Sequence, residues 1–303
     1  MLGEDFVVLS LVPILIAVLA ALACALPGNF LLLRRQAMMG DMMAHSVLPG
    51  LILAFLLTGQ VSGWVMFVGA GGAALLSALL VEAITKLGRV DPGAAMGMTF
   101  TTMFASGVLL LELTGASGVH LDVEHALYGN LESLIWLDAQ GWASLLDAEA
   151  LAGLPPELAQ LAVVMVLLAL LMWVFWRPLV MASFDAGHAA VLGLPVGMIS
   201  LGIVAATAMA SVAAFTAVGS ILTIAMLICP PAAARLLTNR LGVQVWLSLG
   251  LATLSAVLGY VLAGYGPFWL GFSASVSAAG MMAVVSGALL GLAALFGPHR
   301  KAG

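Results

Sequence analysis

The chain has 303 residues, of which 63% are hydrophobic and only 8% are charged, and its formal net charge is −5. Soluble domains carry about a quarter charged residues, so this composition excludes an ordinary soluble fold. Apolar runs of roughly 20 residues, each long enough to cross a bilayer as a helix, recur along the chain. Alternating strands are absent. We therefore expect an all-α polytopic membrane protein with about eight or nine transmembrane helices, folded as one domain over residues 1–303.

The apolar runs divide the chain into candidate helices. The N-terminus carries Glu4 and Asp5 but no basic residue, unlike a secretory signal, so the first run is expected to be retained. The run 195–238 is divided near Val218-Gly219-Ser220, and one helix followed by a broken half-helix is the alternative. Nine segments are predicted: 6–33, 42–58, 63–87, 94–114, 157–176, 195–217, 218–238, 243–264 and 275–296.

Charge placement predicts the orientation of these segments. In the nine-segment layout all Lys and Arg residues fall on one side, which the positive-inside rule makes cytoplasmic. The N-terminus is then outside and the C-terminus inside. Most acidic residues lie outside, many of them in the predicted external loop 115–157. Such a loop would raise the local cation concentration, although an ordinary solvated loop has the same composition.

The most informative stretch enters the second segment from the basic side. Asp41 and His45 are four residues apart, so their side chains share one helix face. A carboxylate and an imidazole on one face form a natural half-site for a divalent transition metal, and Met38 could add a thioether. Pro49 lacks an N–H, which frees the carbonyl of His45. An Asp–His pair that holds two helices together, with Pro49 as a simple kink, is the alternative.

Two later stretches contain helix-breaking residues. Pro230 and Pro231 free two carbonyls within an apolar run, which predicts a hinge or pathway wall, or else a packing kink. The segment 184–196 lies between spans on the basic side. It has a short amphipathic face and ends at Gly193 and Pro195, so it is either a docking helix for a partner or a surface connector.

Other candidate sites are weaker or absent. His120, Asp122, Glu124 and His125 cluster in the external loop, where a metal site is conceivable, but their spacing is not distinctive. The two cysteines lie within apolar runs and form no disulfide framework. No GxxxxGK[ST] phosphate loop occurs, so the chain lacks that machinery for ATP hydrolysis.

Four motifs, in the same order, resemble the ABC-3 family of permeases, which import manganese, zinc and iron. The resemblance covers nearly the whole chain. Its motifs are Arg34-Arg35 through Gly40-Asp41, His45 and Pro49-Gly50; Tyr128-Gly129-Asn130-Leu131; Phe184-Asp185, Ala189, Leu192-Gly193 and Val196; and Val218-Gly219 with Pro230-Pro231 through Arg235.

The resemblance implies a dimeric permease in a bacterial plasma membrane. Each copy would contact a cytoplasmic ATP-binding subunit, which would hold the ATPase activity, and would receive metal from an extracytoplasmic binding protein. Nucleic acid is not an expected partner, and no permanent cofactor is expected. Asp41 and His45 would contact the transported metal. The ATPase-coupling residues would be Phe184, Asp185, Ala189, Leu192, Gly193 and Val196.

The transported ion and the energy source have competing interpretations. The motif around His45 is more similar to manganese or iron members than to zinc members, yet Zn²⁺ also accepts oxygen and imidazole ligands. A secondary transporter that uses Asp41 and His45 for protons is the main alternative. An intramembrane hydrolase is disfavoured because Glu82 and Glu112 lie near segment ends and offer no second mid-membrane carboxylate.

Overall fold

The computed structural model describes residues 6–59, 63–114, 131–269, 271 and 276–298. Across these ranges the chain is helical, with no strand. A π-helical turn, Val7–Leu11, leads into the first helix, and 3₁₀ turns lie at Leu131–Ser133 and Trp142–Leu146. The α-helices are α1 Val12–Leu33, α2 Met38–His45, α3 Val47–Thr58, α4 Gly63–Gly88, α5 Pro92–Thr114, α6 Ala148–Ala152, α7 Pro156–Val174, α8 Trp176–Phe184, α9 Ala186–Val191, α10 Val196–Leu237, α11 Leu241–Trp269 and α12 Ala278–Phe296.

Eight helical stretches in the described chain are long and apolar enough to cross a membrane. They correspond to the predicted segments, with α2 and α3 forming one stretch and α10 covering two predicted segments. The all-α polytopic fold is therefore confirmed.

The two ends of α10 lie at the same end of the helix bundle. Its 42 residues would extend for about 63 Å as one helix, roughly twice the thickness of a hydrocarbon core. Near its start, Ser200 Oγ accepts a hydrogen bond of 2.7 Å from Arg34 Nη2, just beyond α1. Near its other end, the carbonyl of Leu227 packs against Gly28, also in the last part of α1. The helix therefore doubles back on itself as two antiparallel arms.

The reversal occurs at Gly219, whose backbone angles are φ 80° and ψ 175°. Positive φ is easily reached only by glycine, which explains this residue at the turning point. The arms 196–218 and 220–237 are about 34 Å and 27 Å long, each close to the thickness of a hydrocarbon core. The division predicted near Gly219 is confirmed. The second arm remains helical through Pro230 and Pro231, and their role as a hinge, a pathway wall or a packing kink stays a prediction.

Polar contacts fix the direction of α11 relative to α1. At one end, Asn29 Nδ2 donates to Ser248 Oγ at 2.7 Å, and Gln244 Nε2 donates to Asn29 Oδ1 at 3.0 Å. At the other end, the Tyr260 hydroxyl lies 3.3 Å from the carbonyl of Leu9. We call the end that holds Arg34 the basic end, and the opposite one the acidic end.

The described part of the predicted external loop is folded against the acidic end. Trp136 is fully buried there. Its indole Nε1 donates a hydrogen bond to the carbonyl of Ala150 at 2.7 Å. Its backbone N–H donates to the carbonyl of Val8 at 3.0 Å. Glu132 Oε1 accepts a hydrogen bond from the backbone of Ala278 at 2.7 Å. The segment thus connects the start of α1 to the start of α12. Both cysteines are free, as expected.

Candidate functional site

The Asp41–His45 pair lies on one face of α2, as predicted. His45 Nε2 and Asp41 Oδ1 are 3.4 Å apart. The helix ends at His45, and α3 begins two residues later, after Ser46. This interruption has a local cause, because Pro49 cannot donate a backbone hydrogen bond to the carbonyl of His45. Pro49 therefore shapes the backbone beside the pair.

Two aromatic rings of α5 hold the imidazole of His45 edge to face. Its ring centroid lies 5.1 Å from that of Phe100, at 71°, and 6.2 Å from that of Phe104, at 89°. The two phenylalanines also stack on each other. Nothing in the sequence pattern indicates this contact, since both residues sit in an ordinary apolar run. They restrict the orientation of the imidazole.

The pair is open on one side. The side chain of Asp41 is 38% exposed and that of His45 is 18% exposed, and the preceding Met38 is exposed as well. An ionisable group within a membrane-spanning segment is costly against lipid and normally faces a water-filled cavity or another protein surface. The open side of α2 is therefore a pathway wall or a contact with a further protein.

The described part of one chain supplies too few ligands for a complete metal site. Within the described residues, no group of three or more His, Cys, Asp or Glu side chains converges. Asp41 and His45 provide one oxygen and one nitrogen donor, whereas a protein-bound transition metal takes four or more ligands. His120, Asp122, Glu124 and His125 lie outside the described residues.

An open, almost entirely apolar groove begins at Pro49, one helical turn after His45. It has a volume of about 780 Å³ and runs between α3, α4 and α5. Pro49 and Gly50 line it from α3, Gly69 from α4, and Met103 from α5. Gly50 and Gly69 bring the backbones of α3 and α4 into direct contact.

The segment 184–196 forms the short helix α9 at the basic end. Asp185 caps its N-terminus, since its Oδ1 accepts a hydrogen bond of 2.8 Å from the backbone of His188. Gly193, with φ 79°, ends it: the N–H of Gly193 donates to Ala190 and that of Leu194 donates to Ala189, which is the Schellman arrangement.

The apolar side chains of this segment are divided between the protein and the solvent. Ala189 is buried, whereas Phe184, Val191 and Leu192 are exposed. Val196 follows as the first residue of α10. The predicted short helix is thus confirmed, and its exposed apolar side chains are available for a contact.

Comparison with known proteins places the chain in a family. It matches the ABC 3 transport family over residues 9–141 and 142–297. It is 41% identical over 281 residues to the manganese transport system membrane protein MntD of Bacillus subtilis (strain 168), covering 93% of this chain and 90% of that protein. It is 37% identical over 285 residues to the zinc transport system membrane protein TroD of Treponema pallidum (strain Nichols), covering 94% of this chain and 73% of that protein.

A solved structure has the same fold. PsaBC from Streptococcus pneumoniae, in complex with Fab, superposes with a TM-score of 0.76 at 26% identity, covering 96% of this chain and 92% of that one. The family match extends over both halves of the chain, and the motifs around Asp41, Asp185 and Gly219 lie within it. The chain belongs to the ABC 3 transport family.

Proposed function

We propose that this chain is the permease of an ATP-driven importer for a divalent transition metal, with Mn²⁺ favoured over Fe²⁺ and Zn²⁺. The observation that carries the proposal is the Asp41–His45 pair, which is partly exposed inside a membrane-spanning stretch. A carboxylate oxygen and an imidazole nitrogen suit all three ions. Relatives named as manganese and zinc transport membrane proteins support this class of cargo.

A second copy of the chain would complete the site. Two copies related by a two-fold axis along α2 would contribute two carboxylates and two imidazoles, which is enough for a transition metal. The same arrangement would shield Asp41 from lipid. The apolar groove beside Pro49 would then be filled by the facing copy, since its lining offers almost no polar group.

The two ends of the bundle would bind different partners. The basic end is cytoplasmic by the positive-inside rule, which places the N-terminus outside and the C-terminus inside a bacterial plasma membrane. There the exposed Phe184, Val191 and Leu192 offer a docking surface for an ATP-binding subunit. The acidic end would receive metal from an extracytoplasmic binding protein, and its carboxylates would attract the cation.

Transport follows from these contacts by alternating access. Metal arriving from the acidic end binds between the two Asp41–His45 pairs. ATP-driven closure of the ATPase subunits moves α9, and Val196 transmits this movement directly to the first arm of α10. Gly219, where that arm reverses, and the interrupted helix at Pro49 are the points at which the bundle can change its shape. Pro230 and Pro231 would contribute to gating through packing contacts, since the second arm of α10 stays helical at both prolines.

The test is uptake of radioactive Mn²⁺ in proteoliposomes that contain the permease and its ATPase subunit. We expect Asp41→Asn and His45→Gln each to reduce uptake by at least about tenfold while the complex still assembles. Glu149→Gln removes only one of several carboxylates at the acidic end and leaves the Asp41–His45 pair intact, so its uptake should stay close to the wild-type rate. Uptake at the normal rate in Asp41→Asn would refute the role of this residue.

The same assay separates the ATP-driven importer from a proton-coupled transporter. Withdrawing ATP from the vesicles should stop uptake, and dissipating a pH gradient should leave it unchanged. The opposite pattern would mean that Asp41 and His45 carry protons.

A further inference from the structure

A second, polar cavity lies at the basic end, away from the Asp41–His45 pair. Its volume is about 350 Å³, and it is enclosed by α4, the start of α5 and the first arm of α10. Arg34 and Gln36 line it from the turn between α1 and α2, Thr85 and Lys86 line it from α4, and Ser200 lines it from α10. Unlike the apolar groove, this cavity contains several hydrogen-bond donors.

Arg34 is the central cation of this cavity. Its guanidinium is partly buried, and Nη2 donates to Ser200 Oγ at 2.7 Å. Its Nη1 is buried and has no hydrogen-bond acceptor within the described residues. Burial lowers the pKa of Arg34, but an arginine keeps its charge in any protein environment. Within the part of the chain that the structure describes, this partly buried cation therefore has no anionic partner.

Among the described residues, one carboxylate lines the cavity, and it already forms an ion pair. Glu82 Oε1 forms an ion pair with Lys86 Nζ at 2.5 Å, one turn apart on α4. Arg34 and Lys86 each carry a positive charge and Glu82 carries a negative one, so the lining has one net positive charge. Such a lining repels a metal cation and attracts an anion.

Two further polar groups that line the cavity are buried without partners in the described chain. They are Gln36 Oε1 and Thr85 Oγ1. The hydroxyl of Thr85 can donate, and the amide of Gln36 can present its NH₂ after a rotation that exchanges oxygen and nitrogen. A single oxyanion in the cavity would thus accept hydrogen bonds from all three side chains.

The rim of the cavity is apolar and faces outward. Leu79 of α4 and Leu201 of α10 both line the cavity, and they are 51% and 48% exposed. A polar pocket for an anion that opens beside exposed leucines at the edge of a membrane-spanning bundle matches the two halves of a lipid. A free anion would need no such apolar rim.

We propose that this cavity binds the phosphate group of an anionic phospholipid, held by Arg34, Thr85 and Gln36, with the acyl chains along Leu79 and Leu201. The lipid would connect the α1–α2 turn and α4 to the arm of α10 that follows α9. It would thereby stabilise the junction between the basic end of the bundle and α9.

The experiment measures lipid retention by native mass spectrometry of the intact permease from nanodiscs of phosphatidylcholine mixed with phosphatidylglycerol. We expect the wild-type protein to retain phosphatidylglycerol in preference to phosphatidylcholine. Arg34→Gln should reduce that retention about tenfold, because a charge-assisted hydrogen bond is lost, and Thr85→Val should reduce it less. Arg240→Gln, the same change at an exposed position of the basic end, is the matched control and should behave as wild type.

A second arm identifies the source of the phosphate. Inorganic phosphate is added to wild type and Arg34→Gln in nanodiscs of phosphatidylcholine alone, and the thermal unfolding midpoint is measured. Suppose that phosphate raises the unfolding midpoint of wild type but not of Arg34→Gln, and that wild type shows no preference for phosphatidylglycerol. That result would overturn the lipid as occupant and would mean that the cavity binds a free anion. Equal phosphatidylglycerol retention by wild type, Arg34→Gln and Arg240→Gln, with no phosphate shift, would overturn the site altogether.

Discussion

The carbonyl oxygen of Leu227 packs directly against the α-carbon of Gly28, so closely that a β-carbon at Gly28 would collide with it. This carbonyl has no backbone donor four residues later, because that residue is Pro231. The α-hydrogen of Gly28 approaches it instead, a weak polar contact that recurs between closely packed helices. The proline that frees the carbonyl and the glycine that receives it therefore form one contact between α1 and the second arm of α10.

Gly28→Ala should destabilise the bundle by about 1–3 kcal/mol, because the added methyl group meets a backbone carbonyl that cannot move away. The measurement is the thermal unfolding midpoint of the detergent-solubilised protein. Gly202→Ala is the control, since a β-carbon there meets nothing within 4 Å. Equal midpoints for the two variants would show that α1 and α10 can separate at no cost.

Phe100→Leu should weaken metal binding at His45 by roughly three- to tenfold, because the ring that restricts the imidazole is lost. The measurement is the concentration dependence of Mn²⁺ uptake, in which KM should rise with little change in the maximal rate. Phe268→Leu changes an exposed ring at the end of α11 and should leave KM unaltered. A stability loss in Phe100→Leu without any change in KM would mean that the ring is only part of the core.

Trp136→Phe should lower the free energy of unfolding by about 1–3 kcal/mol. The fully buried indole donates to the carbonyl of Ala150, and phenylalanine would leave that acceptor unpaired. Thermal unfolding measures the loss. Trp173→Phe removes an exposed indole from α7 and should have little effect. If both variants unfold at the wild-type temperature, the segment around Trp136 does not contribute to stability.

Asp185→Ala should shift α9 towards the unfolded state by about 1 kcal/mol, since it removes the N-cap of a helix with only six residues. Binding of the ATP-binding subunit should weaken accordingly, as measured by co-purification and by metal-stimulated ATP hydrolysis. Asp185→Asn retains the cap without the charge, so it should restore both co-purification of the ATP-binding subunit and metal-stimulated ATP hydrolysis. If Asp185→Asn is as defective as Asp185→Ala, the carboxylate itself contacts the partner.

Several features of the fold follow from residues that are neighbours in sequence. The length of the apolar runs predicts the spans, and Gly219 marks the turn of α10 because few other residues adopt its backbone angles. The cap at Asp185 and the end at Gly193 are similarly local. The approach of Asp41 to His45 depends only on helical periodicity, so their spacing predicted half of the candidate site.

The prolines show where such reasoning leaves alternatives open. Pro49 interrupts the helix after His45, whereas Pro230 and Pro231 leave the second arm of α10 helical. The difference lies in the surroundings, because Gly28 of another helix packs against the carbonyl that Pro231 frees. No property of the proline pair alone contains that information.

By itself, then, the sequence determined the membrane-spanning helices, the reversal at Gly219 and the one-turn spacing of Asp41 and His45, because each depends on side chains within a few residues of one another. Only the tertiary structure decided that Phe100 orients His45, that Gly28 receives the Leu227 carbonyl and that Arg34, Thr85 and Ser200 share a cavity. These partners are far apart in the chain, and packing between helices, where shape and unpaired polar groups must be matched, brings them together.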